Sequence, residues 1–380
     1  MKNIFIIGSK GIPAQYGGFE TFVDRLTEYS GKSDYKYHVS CMAKDSEENE
    51  YHGARCYNIK VPSIGPARAV YYDVKAFDAA IEYCKMNPKI KEPIMYVLAC
   101  RIGPFFSKRV KAWHKLGGKV YVNPDGHEWK RGKWNYWIKR YWKLSERMMV
   151  KYADLLVCDS KNIEAYIHED YEMYRPRTTY IAYGTDTASN SNCDDDYEEW
   201  LRKNSLKKNE YYLIVGRFVP ENNFEVMIRE FMKSDSKKKL VIITTSNRKY
   251  QKELNGRLQF ERDDRVQFVG TVYDKELLCQ IRMGAYGYLH GHEVGGTNPS
   301  LLEALGSTKL NLLLDVGFNK EVAEDTALYW TKEENSLRDL LNQCENMKDE
   351  RDERGKRARD RMQNLYSWEF ITSQYEKIWK

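Results

Sequence analysis

Short, continuous apolar runs alternate with longer segments of helical spacing along most of this chain. In the first half the runs fall at residues 4–7, 37–42, 56–61, 94–99, 120–122, 155–158 and 179–182. A strand with one wet face alternates apolar and polar residues, whereas a strand buried on both faces reads as an unbroken apolar run. Between the runs the pattern changes period, as in Phe19, Phe22, Val23 and Leu26. That spacing gives a helix one apolar face to lay on a sheet. The alternation therefore predicts an α/β architecture with parallel sheets covered on both sides.

The alternation restarts after a polar stretch. Residues 212–215, 240–244, 266–269, 286–289 and 310–314 form a second set of strand-like runs. A chain of 380 residues is too long for one ordinary core. The expected organisation is an N-terminal domain over 1–186, a second domain over 187–360, and a final amphipathic helix within 361–380 that crosses back to the first. Residues 187–208 read as a linker plus an exposed helix. The acidic run Asp194-Asp195-Asp196 follows no apolar strand, so it reads as solvated linker and not as a metal-binding motif.

Bulk properties narrow the class. The net charge of +6 is modest for the length and does not indicate a general nucleic-acid binder. Eight cysteines occur singly, with no C-x-x-C pair, which points to a reducing compartment and away from zinc or a disulfide frame. The N-terminus reads as a strand and lacks a signal-peptide pattern. No apolar run approaches the ~20 residues that span a bilayer. The expected location is cytoplasmic.

Ligands of doubly wound sheets bind at the carboxyl ends of strands. The loop after the run at 286–289 is the most informative. Gly295 and Gly296 precede Thr297, Asn298, Pro299 and Ser300. Asn298 suits an N-cap and Pro299 the first helical position. Such a turn presents backbone N–H groups and a positive dipole end to an anion. Glu303, about one turn inside the helix, has two readings. It can accept hydrogen bonds from a sugar hydroxyl, or it can close a capping box with Ser300.

Four further loops carry candidates. Gly17, Gly18 and Glu20 end a glycine-rich turn after the first strand that matches neither a dinucleotide fingerprint nor a P-loop. Asp125 and His127 follow the run at 120–122 and offer a general base or a hydroxyl acceptor, although Asp125 also suits an Asx-turn. Asp159 follows 155–158, beside Ser160, a natural N-cap. Arg217 follows 212–215 and can reach phosphate oxygens bidentately, unless it is a surface residue paired with Glu221.

Residues 129–143 interleave aromatics and cations at roughly helical spacing, from Trp129 through Lys139 and Arg140 to Lys143. That composition suits an anionic membrane surface; a core helix with a basic outer face is the alternative.

Three motifs together resemble glycosyltransferase family 4 of the GT-B fold. They are Ile7-Gly-Ser-Lys-Gly-Ile-Pro-Ala-Gln-Tyr-Gly-Gly-Phe-Glu-Thr21, Asn123-Pro-Asp-Gly-x-Glu-Trp-x-Arg131 and Gly295-Gly-Thr-Asn-Pro-Ser300. Within that family they are similar to bacterial rhamnosyltransferases of capsule and cell-wall polysaccharide assembly, of streptococcal type. The resemblance implies two Rossmann-like domains facing a central cleft, and a retaining transfer with no metal or other cofactor. It places the donor diphosphate against Arg217 and the helix near Asn298, the ribose on Glu303, and the base along Gly270, Thr271 and Val272. The acceptor, a lipid-diphosphate-linked glucose or GlcNAc, belongs near Gly17, Gly18 and Asp125. Asp125, His127, Asp159 and Glu221 are the expected catalytic or orienting groups, and dTDP-L-rhamnose the expected donor. The enzyme is then expected on the inner face of the cell membrane, with no nucleic-acid partner.

Two positions depart from the family pattern. Gly295 stands where the first of two spaced Glu residues is usual, with Glu293 two residues earlier. Glu221, Asn222 and Asn223 stand where a Lys usually follows the Arg. The alternatives are a transferase of another nucleotide hexose, a GT-B nucleotide-sugar epimerase, and a non-catalytic carbohydrate-binding scaffold. Arg217 and Glu303 are expected to act in turnover without supporting the fold.

Overall fold

The structure is a computed structural model that describes residues 1–14, 17–30, 34–44, 47–130, 132, 134–186, 194–345 and 347–380. The expected linker over 187–193 lies outside the described residues, as do Gln15, Tyr16, Arg131 and Lys133 of the motifs above. The chain divides into two compact units. One is Met1–Gly184 with Trp368–Lys380, and the other is Thr185–Ser367.

The first unit holds β1 (Lys2–Ile7), β2 (Tyr35–Ala43), β3 (Glu48–Tyr51), β4 (Ala54–Lys60), β5 (Ile94–Leu98), β6 (Lys119–Asn123), β7 (Leu155–Cys158) and β8 (Thr178–Tyr180). They form one sheet in the order β3-β4-β2-β1-β5-β6-β7-β8. The pairs are parallel except β3 with β4, an antiparallel edge hairpin. The period-two pleat sends alternate residues to opposite faces. Phe5, Ile7, Met95, Val97, Val120 and Val122 enter a core with the helices Arg68–Met86 and Gly103–His114. Tyr96 and Tyr121, at intervening positions, meet the last helix, Trp368–Trp379. There Tyr96 and Tyr375 share a hydroxyl hydrogen bond of 3.0 Å, and Trp379 stacks on Tyr121 at 5.9 Å.

The second unit holds β9 (Tyr211–Val215), β10 (Lys239–Ile243), β11 (Val266–Gly270), β12 (Gly287–His290), β13 (Asn311–Leu314) and β14 (Leu328–Trp330). Their order is β11-β10-β9-β12-β13-β14, all parallel. Tyr212 and Ile214 pack on one face, Tyr211 and Leu213 on the other. The residues read as solvated linker behave differently: Asp194 opens the helix Asp194–Lys203, which buries Tyr197, Trp200 and Leu201 in the second of these cores.

In each sheet the direction of winding reverses once, between β1 and β5 and between β9 and β12. A crevice opens at such a reversal because adjacent strands send their loops to opposite faces. The loops that carry Gly8 and Arg217 start at these two points. Gly8 has φ 100°, and a Cβ there would stand 2.2 Å from the Leu98 carbonyl oxygen, so only glycine lets the β1 loop lie on the end of β5.

Trp379→Ala should lower the stability of the first unit by about 3–5 kcal/mol, the usual range for removing a buried aromatic. Denaturant unfolding followed by probes in each unit checks this. The first unit's midpoint should fall and the second unit's should hold; an unmoved first midpoint would show that the last helix is not integral.

Candidate functional site

The reversal in the second unit gathers three elements. β9 ends at Val215, whose carbonyl accepts from Tyr288 OH at 3.1 Å and from Ser300 Oγ at 3.3 Å. These bonds pin the first turn of the helix Pro299–Ser307 to the end of β9. Asn298 is its N-cap, and its side chain accepts from Ser300 N at 2.9 Å. Gly295, with φ 126°, and Gly296 carry the chain into that cap, and both are buried with Thr297. Arg217 is exposed and forms no ion pair among the described residues. Gly270 ends β11 and Thr271 and Val272 follow it; Thr271 Oγ1 donates to the Thr244 carbonyl at 3.0 Å.

The structure removes the capping-box reading of Glu303. With Asn298 as the cap, a capping box would need its carboxylate at position 301, which is Leu301. Glu303 Oε2 instead meets Arg282 Nη2 at 2.6 Å. The Arg282 side chain is 5% exposed and that of Glu303 44%. A buried guanidinium thus aims a half-open carboxylate whose other oxygen takes no partner among the described residues. Sequence reasoning passed over Arg282 because it lies in the last turn of the helix Lys275–Gly284 and does not follow a strand.

The departures from the family pattern acquire partners. Asn222 donates to the Arg217 carbonyl at 2.7 Å and accepts from His292 Nδ1 at 2.8 Å. Asn223 Nδ2 donates to the Gly291 carbonyl at 2.8 Å and to Glu293 Oε2 at 3.0 Å. Glu293 also pairs with Lys332. Glu221 offers its carbonyl to Glu293 N at 3.3 Å. His290 is buried, and desolvation, reinforced by His292, lowers its pKa to about 3. It is neutral at physiological pH.

The reversal in the first unit places the other candidates. Glu20 Oε1 accepts from Lys10 N at 2.7 Å, so this carboxylate ties the glycine-rich loop to the helix Gly18–Tyr29. Gly17 has φ 137° and lies close to that side chain. An Asx-turn forms at Asn123, whose side chain accepts from Asp125 N at 2.8 Å. Asp159 is buried and hydrogen-bonded by Tyr183, while Ser160 caps the next helix. His127 lies 4.1 Å from the Tyr166 ring. Burial, then Lys130 and Lys143, lower its pKa to about 4, which makes it a weak base.

Arg101, three residues after β5, also escaped the sequence reading. Its Nη1 donates to the Gly8 carbonyl at 2.7 Å and meets Asp73 Oδ2 at 3.3 Å. Burial raises the Asp73 pKa to about 6 against the opposing pull of Arg101. A cation just past a buried strand was the available signal, the same one that marked Arg217.

The basic aromatic segment is not one surface. Lys143 Nζ reaches Asp170 Oδ2 and Tyr166 OH, each at 2.6 Å, and sits 4.7 Å over Trp129 and 4.8 Å over Tyr171. Glu146, buried beneath, accepts from Tyr166 and Tyr171. Trp129 and Lys143 therefore face a cage within the unit, which corrects the expectation that the whole segment meets lipid. Among the described residues no cluster of three or more His, Cys, Asp or Glu side chains is arranged to hold a metal, and no helix is long and apolar enough to cross a membrane.

Solved structures share this architecture. Sucrose-phosphate synthase from Thermosynechococcus elongatus is similar with a TM-score of 0.80 at 18% identity, covering 100% of this chain and 98% of that one. A glycosyltransferase from Rickettsia africae ESF-5 gives 0.75 at 14%, with 100% and 98% covered. Anabaena HepE, in complex with UDP-glucose, gives 0.71 at 14%, with 100% and 99% covered. Residues 1–186 match DUF1972, a domain of unknown function, and residues 196–361 match glycosyl transferases group 1. The chain has the GT-B fold. No curated protein sequence matches it.

Glu303 is expected to matter to the fold as well as to the site, because it is the counter-charge of Arg282. Glu303→Ala leaves the buried Arg282 guanidinium without its half-open carboxylate, which should cost about 1–3 kcal/mol, the usual penalty for a buried donor left without its partner. The double variant Glu303→Ala/Arg282→Met should recover most of the melting temperature and none of the turnover. An unshifted melting temperature in Glu303→Ala would show that the pair contributes nothing to stability.

Proposed function

We propose that the enzyme is a retaining rhamnosyltransferase, moving L-rhamnose from dTDP-L-rhamnose to a lipid-diphosphate-linked glucose or GlcNAc. The observation that carries a nucleotide-sugar donor is the join between Arg217, the amides after Gly295 and Gly296, and the Arg282-held Glu303. A diphosphate would take Arg217 and the helix N-terminus, where the dipole favours negative charge. The ribose would take the open oxygen of Glu303, and the base the backbone of Gly270–Val272. HepE is solved with UDP and with UDP-glucose, which supports a nucleotide-sugar partner of this fold.

The reaction breaks the bond from the sugar C1 to the diphosphate, and the electron pair leaves with the diphosphate. The acceptor hydroxyl attacks C1 from the same face. Its proton passes to a donor phosphate oxygen. The depressed pKa of His127 supports a route without a separate protein base. Asp125, Asp159, Glu221 and His127 would orient substrates or stabilise positive charge on the sugar. Arg217 and the amides stabilise the leaving diphosphate, the main electrostatic task. Gly17 and Gly18 would line the acceptor's approach.

Rhamnose is favoured by what is missing beside the sugar. A carboxylate facing the methyl group of a 6-deoxy sugar would be buried and unpaired, at ~1–3 kcal/mol. Gly295 removes it, and Glu293 is already engaged by Asn223 and Lys332. Turnover should be fastest with dTDP-L-rhamnose in a panel with dTDP-glucose, UDP-glucose and UDP-GlcNAc on one lipid-linked acceptor. Faster transfer from a UDP-hexose would remove the rhamnosyl assignment and favour another hexose. Release of epimerised nucleotide sugar without acceptor would favour an epimerase.

Arg217 and the helix dipole take the place of a metal in this reading. Activity should survive exhaustive EDTA treatment. Loss restored by magnesium or manganese would overturn the metal-free mechanism.

A further inference from the structure

The loop that carries Arg217 is bonded to the segment beyond β12 through residues that depart from the family pattern. Asn222 Nδ2 donates to the Arg217 carbonyl at 2.7 Å, which turns Asn222 Oδ1 to His292 Nδ1 at 2.8 Å. The His292 nitrogen must then be the donor, so the neutral ring carries its proton on Nδ1. Asn223 Nδ2 donates to the Gly291 carbonyl at 2.8 Å and to Glu293 Oε2 at 3.0 Å. The Glu221 carbonyl accepts from Glu293 N at 3.3 Å. Residues 221–223 of one loop thus hold residues 291–293 of the other.

The backbone explains why asparagine serves here. Asn223 has φ 52°, between the single helical turn Pro220–Asn222 and the helix Phe224–Met232. Asparagine tolerates this left-handed conformation better than most residues. A Cβ on Gly291 would stand 2.5 Å from the Asn222 carbonyl oxygen, so glycine lets the two backbones touch. From the other side Phe218, 2% exposed, is locked against Phe224, Tyr250 and Phe268 at ring distances of 4.8, 4.7 and 5.4 Å. Arg217 between these anchors is exposed and forms no ion pair among the described residues. The course of its backbone therefore decides where its guanidinium can reach. The partner segment runs directly into Gly295, Gly296 and the cap at Asn298.

We propose that Asn222 and Asn223 are positioning residues that hold Arg217 at a fixed span from the Gly295–Gly296 turn, and that this span selects a diphosphate over a monophosphate. The inference rests on the reading that the donor diphosphate lies between Arg217 and that turn. Two linked phosphates can meet the guanidinium and the helix amides at once, whereas one phosphate meets one of them. A clamp that is already formed spares the ligand the cost of ordering the loop.

Calorimetric affinities of the full-length protein for dTDP and dTMP test it, with UDP and UMP as a second pair. Asn222→Ala and Asn223→Gly should each weaken diphosphate binding about tenfold, within the range that a misplaced charged contact costs. Monophosphate binding should change by less than about twofold. Asn223→Gly keeps the left-handed backbone, so it removes the side-chain bonds without straining the turn. In an Arg217→Gln background Asn222→Ala should have no further effect, because a residue that acts through Arg217 has nothing left to act on. An equal fall for mono- and diphosphates overturns the proposal, since loosened packing would give that result. So does the same tenfold loss in the Arg217→Gln background. If Arg217→Gln weakens dTDP binding and the two asparagine variants do not, the clamp alone falls. If neither dTDP nor UDP binds the wild-type protein, the nucleotide-sugar reading falls and takes this inference with it.

Discussion

Parallel strands buried on both faces are the constraint from which the rest of this structure follows. A strand with no wet face cannot carry polar chemistry along its length without leaving buried groups unpaired. Polar work is displaced to the strand ends. There the winding of each sheet reverses once, between β1 and β5 and between β9 and β12. The loops with Arg101, Gly8, Arg217 and Asn298 stand at those ends because the interior is apolar on either side.

Charges beside these ends are held in pairs. Arg282 orients Glu303 and needs it as a counter-charge. Arg101 binds Asp73 and the Gly8 carbonyl together, fixing a glycine-rich loop through a buried carboxylate. Glu293 is divided between Asn223 and Lys332. Lys143 shows the same economy in a structural setting, where three aromatic rings and two carboxylates surround one ammonium.

Elements with a strong period were legible, and those defined by their neighbours were not. β7 spans the apolar run at 155–158 because four apolar residues, three of them buried, between polar flanks leave little choice. β3 was not visible, since Glu48–Tyr51 carries no apolar pattern and exists by pairing with β4. β14 is three residues long and is recruited by β13. The acidic start at Asp194 hid a helix whose buried face begins only at Tyr197.

The sequence by itself determined the α/β class, the two sets of strands, and a glycine turn with a capped helix after β12. These follow from period, from proline and glycine geometry, and from side chains acting within a few residues of themselves. It also contained the candidates at Arg217 and Glu303, but not their states. Whether Glu303 capped a helix or faced outward depended on Arg282, 21 positions away in sequence and 2.6 Å away in space. Which of the cations in 129–143 faced solvent depended on Asp170 and Glu146. Burial, pairing and the direction of a long side chain are decided by what packs against it, and only the tertiary structure supplies that partner.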